Sequence, residues 1–381
     1  MTKEEVIVLW RKRIAELKRL KGQGKKVVGY FCQYVPVELI FAAGAIPVRL
    51  AGGDYPTSVR GERFLRADAC PFCKSCLGKF ETDPLYQLTD ALVFVNTCDM
   101  MRRLPEVVSA NIKIPIFQLY LPRTAEPFGN RVAEFQRQVN LLKEWLTALT
   151  CESVDKDRLQ AAIRENNALR QGLTRLDEQR ALMPPRIKGS EVFDLAHLSW
   201  LLEPRQALSA IAQVNAQIMV SAEPAAFRPR LLLAGSILTD QERDFLELIE
   251  AQADIVADVI CTGVRFFAGS IKLNHDPLQN ITDFYFNRIP CACRRPNDLL
   301  YSQLRQLITG RAVQGIIYKT LLYCDSWRFE AKFLRQTLKL PLLEIDGDYS
   351  ATNREQLRTR IEAFIEMLGA EMSQNDDREL L

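Results

Sequence analysis

The chain carries ten cysteines against two histidines, His197 and His275. Two histidines cannot build a multi-histidine metal centre, so any metal held here is held by thiolates. Thiolate donors select zinc or iron–sulfur chemistry. Cys70-Pro71-Phe72-Cys73-Lys74-Ser75-Cys76 is a C-x-x-C-x-x-C run that overlaps the ferredoxin pattern without its closing Cys-Pro. In Cys291-Ala292-Cys293 a bend of the backbone lets both thiolates approach one centre. Cys261 follows a β-rich run and precedes Thr262-Gly263, while Cys98-Asp99 and Cys324-Asp325 each follow an apolar run. Cys70, Cys98, Cys261, Cys291, Cys293 and Cys324 therefore all fall at strand ends or in turns, where a thiol that merely packs has no reason to gather. Cys32 and Cys151 read as ordinary packing residues. Zinc is the competing assignment, but structural zinc sites usually show paired C-x-x-C elements, and only the 70–76 run qualifies.

These residues need elements to position them. Residues 26–31 (KVVGYF) read as a strand and 36–43 as a helix with proline near its first turn; Gly44 ends that helix and 46–50 are extended. Beyond the cysteine-rich segment come a strand at 91–95, a helix around 100–109 and a strand at 114–119. Residues 128–222 contain amphipathic helices instead, one of them burying Val132, Phe135, Val139, Leu142, Trp145, Leu146 and Leu149 at helical spacing. Alternation returns with strands at 229–234, 254–260, 315–321 and 342–345, and with helices at 240–251 and from 297, 326 and about 353. The expected class is α/β, with two parallel-sheet domains, 1–127 and 226–381, and a helical connector or insertion at 128–225. The two halves share an order: an apolar strand, Cys-Asp, a helix, then Ile/Leu-Pro and another apolar strand. Cys98 and Cys324 thus match, at the carboxyl edge where open α/β sheets bind ligands.

Composition narrows the classes. The 381 residues are 48% hydrophobic and 25% charged, enough for a sizeable core. Fifty Lys+Arg against 47 Asp+Glu leave +3, too little to make nucleic acid a partner. Apolar runs fall short of the ~20 residues a membrane helix needs, and the first residues lack a signal-peptide pattern. A cytoplasmic protein without a disulfide framework is expected. Gly22-Gln23-Gly24-Lys25-Lys26 is too short for a phosphate-binding loop, and no G-x-G-x-x-G follows a strand, so neither ATP nor a nicotinamide has an evident site.

YVPVELIFAAGAIPV, CPFCKSCLG, NTCD, the CTG at Cys261, CACRRPND, the YCD at Cys324 and DYSATNREQLRTRIEAFIEML together resemble the 2-hydroxyacyl-CoA dehydratase and benzoyl-CoA reductase family (the dehydratase D-component) from about Val27 to Leu368. The resemblance is strongest to its double-cubane branch. It implies two flavodoxin-like (Rossmann-like) domains with an iron–sulfur cluster between them, and a separate ATP-hydrolysing iron–sulfur activator that supplies low-potential electrons. Dehydratase-type subunits hold one [4Fe–4S] cluster with three cysteines, matching Cys70, Cys98 and Cys324. Two cubanes sharing a sulfide leave three corners each for thiolates, and the double-cubane [8Fe–9S] pattern is met by Cys70, Cys98, Cys261, Cys291, Cys293 and Cys324. Cys73 and Cys76 stand where that branch has apolar and serine residues, so either is an alternative ligand.

The resemblance implies an iron–sulfur oxidoreductase, a homodimer reducing a small unsaturated molecule. The alternative is a [4Fe–4S] subunit of a dehydratase or aryl-CoA reductase, a lyase component paired with a paralogous chain. Lys74, Ser75, Asp99 and Asp325 are the expected proton or hydrogen-bond donors near the cluster, although both aspartates equally read as helix caps. Glu38 either faces the cleft or balances a helix dipole. An electron carrier or zinc-stabilised binding protein is the reading from another class.

Overall fold

Parallel strands buried on both faces read as continuous apolar runs, and the two central strands of the first half do. β1 (Val27–Tyr30) and β3 (Ala91–Val95) are buried throughout. They lie between β2 (Ile46–Arg49) and β4 (Ile116–Leu119) in the order β2-β1-β3-β4, every pair parallel. Pro47, which has no N–H to donate, sits in β2 at the sheet edge. The computed structural model describes residues 3–124, 130–218, 228–350 and 354–379, the side chains of the closing helix to residue 370.

The second half repeats this plan. β5 (Arg230–Gly235), β6 (Asp254–Val259), β7 (Gly315–Leu321) and β8 (Leu342–Gly347) form a parallel sheet ordered β6-β5-β7-β8. The protein therefore consists of two Rossmann-like or flavodoxin-like parallel-sheet domains linked by helices. All eight strands match the expected ones to within two residues at each end. The two expected domain boundaries fall at 125–129 and 219–227, outside the described residues.

The linking helices are Arg131–Thr150, Lys156–Ala181, Gly189–Ser199 and Pro204–Ile218. The first buries Phe135, Val139, Leu142 and Leu146, while Val132, Trp145 and Leu149 are partly covered. It packs on helix Pro277–Asn287, for which the sequence reading has no counterpart; Asp276 starts that helix by accepting from Gln279 N (2.9 Å), with Pro277 in its first turn. The expected helix at 240–251 begins as a 3-10 turn, Asp240–Glu242, before α-helix Arg243–Glu250.

Helix Lys156–Ala181 touches both domains. From it Arg170 reaches Glu38 (2.5 Å), which also accepts a hydrogen bond from Tyr285 (2.9 Å) of the second half. Glu38 is fully buried, so it neither faces the cleft nor merely balances a dipole. The same helix carries Asp177 and Arg180, and Arg180 bridges Asp177 and Asp258 (2.5 Å each). Tyr34 adds a hydrogen bond to Ile289 O (2.8 Å). These long-range ties bring the carboxyl edges of the two sheets together.

Candidate sulfur site

Cys70 is the N-cap of helix Pro71–Thr82, with Pro71 opening the first turn as its fixed φ favours. The helix is seated by backbone contact with helix Tyr55–Gly61. A Cβ on Gly61 would stand 1.9 Å from Lys74 O, and one on Gly78 would stand 2.0 Å from Thr57 O. Ser75 lies on this packed side: its Oγ accepts from Asp54 N (3.1 Å) and shares a 2.5 Å hydrogen bond with Thr57 Oγ1. Lys74 is buried and donates to Glu62 (2.9 Å) and to Ala67 O (3.1 Å). Both are engaged in holding the helix that presents Cys70. Cys73 and Cys76 are buried in the first domain's core.

Cys98 follows β3 and caps helix Asp99–Asn111, its Sγ accepting from Met101 N (3.4 Å). Cys324 follows β7 and caps helix Asp325–Leu338. The residue before it, Tyr323, holds a left-handed φ of 61°, which a bulky residue adopts only where its surroundings impose it. Asp99 and Asp325 sit exposed in the first turns, as residues beside helix N-termini do. Cys70, Cys98 and Cys324 are half-buried and pack on one apolar cluster. Three helix N-termini, two from the first domain and one from the second, thus present a thiol each.

The remaining cysteines approach from the second half. Cys261 turns out of β6, and Asp258 shapes that turn by accepting from Ile260 N (3.1 Å) and Val264 N (2.8 Å). Arg49 of β2 donates to Cys261 O (3.0 Å) and lies 3.5 Å from its Sγ. Cys291 and Cys293 follow helix Pro277–Asn287 and are half-buried. Arg265 is buried beside Cys291, bonds Pro290 O (3.2 Å), and stacks over Trp327 (4.5 Å). Among the described residues its Nε and Nη2 meet no geometric hydrogen-bond partner. Cys32 packs half-buried on the first core, whereas Cys151 is exposed and does not pack as expected; it ends helix Arg131–Thr150 in a left-handed conformation (φ 57°).

The thiols feel one another. Burial pushes the Cys98 thiol up to about 12, with the charges of Cys70 and Cys291 adding to the effect. Burial also raises Cys324, reinforced by Cys70, Cys98 and Cys291. A hydrogen bond from Cys73 lowers Cys70, helped by the N–H groups of Cys73 and Phe72. A hydrogen bond from Cys293 likewise holds Cys291 down at about 6, assisted by Arg265. Cys293 is raised in turn, first by its bond to Cys291 and also by Cys98 and Cys324. Five of the six expected ligands thus form one electrostatic ensemble, and Cys261 lies to its side with Cys32 and Arg49. Among the described residues, no three His, Cys, Asp or Glu side chains converge as ligands of a single metal ion.

A family model described as 2-hydroxyglutaryl-CoA dehydratase, D-component, matches residues 32–368. The chain belongs to this dehydratase family. Its relatives include the proposed dehydratase subunit YjiM of Escherichia coli (strain K12), 28% identical over 92% of this chain and 93% of that protein. The (R)-phenyllactyl-CoA dehydratase beta subunit of Clostridium sporogenes is 21% identical over 92% of this chain and 94% of its own length. A benzoyl-CoA reductase subunit of Thauera aromatica is 21% identical over 90% of this chain and 91% of its own length. Membership of the D-component family supports an enzymatic role, and each of these relatives is named as a subunit. No helix among the described residues is long and apolar enough to cross a membrane.

Sequence reasoning missed the arginines beside these cysteines. Arg49 left one signal, a charged residue inside the apolar run Ile46–Leu50. Arg265 left none, because its stacking partner Trp327 lies far along the chain.

Proposed function

We propose that this chain is the iron–sulfur subunit of a 2-hydroxyacyl-CoA dehydratase or benzoyl-CoA reductase type enzyme, with Cys70, Cys98 and Cys324 holding one [4Fe–4S] cluster. The observation that carries this reading is the presentation of those three thiols at three helix N-termini on facing sheet edges. The donor set fits the group. A single ion draws its ligands to one point, whereas a cubane holds each thiolate at a separate corner, and the thiols of the described residues are spread rather than converged on one point. Burial opposes ionising Cys98 and Cys324, and a cationic iron centre supplies the charge that deprotonates a coordinating thiol. Helix N-termini and the free donors of Arg265 offset the net negative charge of a thiolate-bound cluster.

When bound, the cluster supplies single low-potential electrons received from a separate ATP-hydrolysing activator, a dependence that suits a cytoplasmic protein. Asp325, exposed beside Cys324, is the proton-bearing group of this reading, while Lys74 and Ser75 position the Cys70 helix. A paralogous chain is the partner, because the relatives are subunits of dehydratases and of a reductase. The domain limits of this reading are 1–127, 128–225 and 226–381.

A second reading is the double-cubane [8Fe–9S] reductase, a homodimer that also uses Cys261, Cys291 and Cys293. It is favoured by the electrostatic contact of Cys293 with Cys98 and Cys324. The relatives' names, subunits of dehydratases and of a reductase, favour the first reading. The test is iron and acid-labile sulfide per chain on anaerobically purified protein, beside a Cys261→Ala/Cys293→Ala variant. About four irons, unchanged in the variant, support the single cluster. About eight, falling sharply in the variant, favour the double cubane. Zinc without iron overturns both.

A further inference from the structure

A cavity of about 360 Å³ opens between helix Lys3–Gly22, the end of β2 and helix Gly189–Ser199. Arg49, His197 and Trp200 line it, and each carries a nitrogen that is shielded from water and, among the described residues, unpartnered: Arg49 Nε, His197 Nε2 and Trp200 Nε1. A buried polar group without a partner costs stability, so three around one cavity call for a physical reason. Arg49 Nε and Trp200 Nε1 are obligate donors, which only an acceptor can satisfy.

The charge points the same way. Arg49 is 4% exposed, yet it makes no ion pair among the described residues. Its other two nitrogens are spent on Cys261, and its face lies over Trp200 (4.4 Å) and Phe266 (5.6 Å). At the opposite end Lys79 is already paired with Asp54 (3.0 Å) and Asp83 (3.2 Å). Arg49 is therefore the cation of this cavity that lacks a counter-ion, and a buried charge of that kind is stabilised by pairing. Between the two ends the wall is apolar, with Val6, Trp10 and Leu201.

We propose that this cavity is a binding site for a small organic carboxylate with an apolar tail. The carboxylate accepts from Arg49 and Trp200 after a rotamer-scale adjustment, and the tail lies along Val6, Trp10 and Leu201. The inference stands whether or not a cluster is held, because the donors it uses, Arg49 Nε and Trp200 Nε1, are not the Arg49 nitrogens bonded to Cys261.

The test is calorimetric titration of the purified full chain with hexanoate and with its neutral isostere hexanamide, repeated on Arg49→Met and Trp200→Phe. Saturable hexanoate binding is expected, weakened about ten- to a hundredfold by Arg49→Met. Trp200→Phe, which keeps the ring packing, is expected to weaken it about tenfold, and hexanamide to bind wild type at least about tenfold more weakly. No saturable binding at millimolar hexanoate, equal affinity for the amide, or undiminished binding in a folded Trp200→Phe variant would each overturn the proposal. Because Trp200→Phe removes one N–H from a retained aromatic face, the proposal stays testable where Arg49→Met fails to fold.

Discussion

Cys98 and Cys324 stand three residues beyond the ends of β3 and β7, each at the N-cap of the helix that follows. β3 and β7 occupy equivalent places in two sheets of identical order. The two thiols are therefore topological equivalents, and the long-range ties through helix Lys156–Ala181 and Tyr34 turn that equivalence into proximity. A site divided between two domains depends on both sulfurs and on everything that holds the edges together.

Removing either sulfur is expected to abolish cluster retention. Cys98→Ser and Cys324→Ser, purified anaerobically, should each lose most of their iron and acid-labile sulfide, whereas exposed Cys151→Ser should match wild type. Full iron in both ligand variants would place the cluster elsewhere.

The seating of the Cys70 helix rests on a backbone contact. Gly61→Ala should lower the unfolding free energy by about 3 kcal/mol, because its Cβ meets Lys74 O at 1.9 Å rather than a movable side-chain tip. Gly22→Ala, with nothing within 4 Å, should be neutral or slightly stabilising. Urea unfolding of both variants checks the contrast.

Acid should weaken the clasp between connector and second domain. Burial by itself would raise the Asp177 carboxyl, but Arg180 and Arg311 outweigh it and hold Asp177 below its usual range. A depressed carboxylate contributes stability that is complete above its unfolded value, about 3.9, and lost as pH falls through the lower folded value. Wild type should lose stability below about pH 4, and Asp177→Asn should be less stable at neutral pH with a shallower acid slope. Equilibrium unfolding from pH 3 to 7 reads both.

Asp258 couples that clasp to the Cys261 turn. Asp258→Ala leaves the buried Arg180 guanidinium one carboxylate short and frees two turn amides. A loss of about 3–5 kcal/mol is expected. Amide exchange should accelerate at Ile260 and Val264 ahead of the rest of β6; unchanged exchange there would show that Asp258 does not shape the turn.

Local order was legible in the residues themselves. Apolar runs bounded by Gly44 and by Cys-Asp, among others, located all eight strands to within two residues, since strand formation and burial on both faces leave a direct compositional trace. The helix starts after Cys70, Cys98 and Cys324 were readable to within a residue, but the caps were not: Asp99 and Asp325, read as caps, stand in the first turns, and the cysteines hold the N-cap positions. Glu38 was not readable: its partner Arg170 lies 132 residues away, and nothing in PVELIF distinguishes a dipole partner from half of a buried ion pair. The same holds for Arg49 and Cys261, 212 residues apart.

By itself, then, the sequence determined two rounds of strand and helix, the thiols at their carboxyl edges and the family that shares the pattern. The tertiary structure alone decided which sulfurs share a field, that Lys74 and Ser75 hold a helix, and that Arg49 borders a cavity without a counter-ion. The reason is range. Hydrogen bonds within a helix or cap close over a few residues and are encoded locally, whereas burial, pairing and cavity shape arise only when segments hundreds of residues apart are packed against one another.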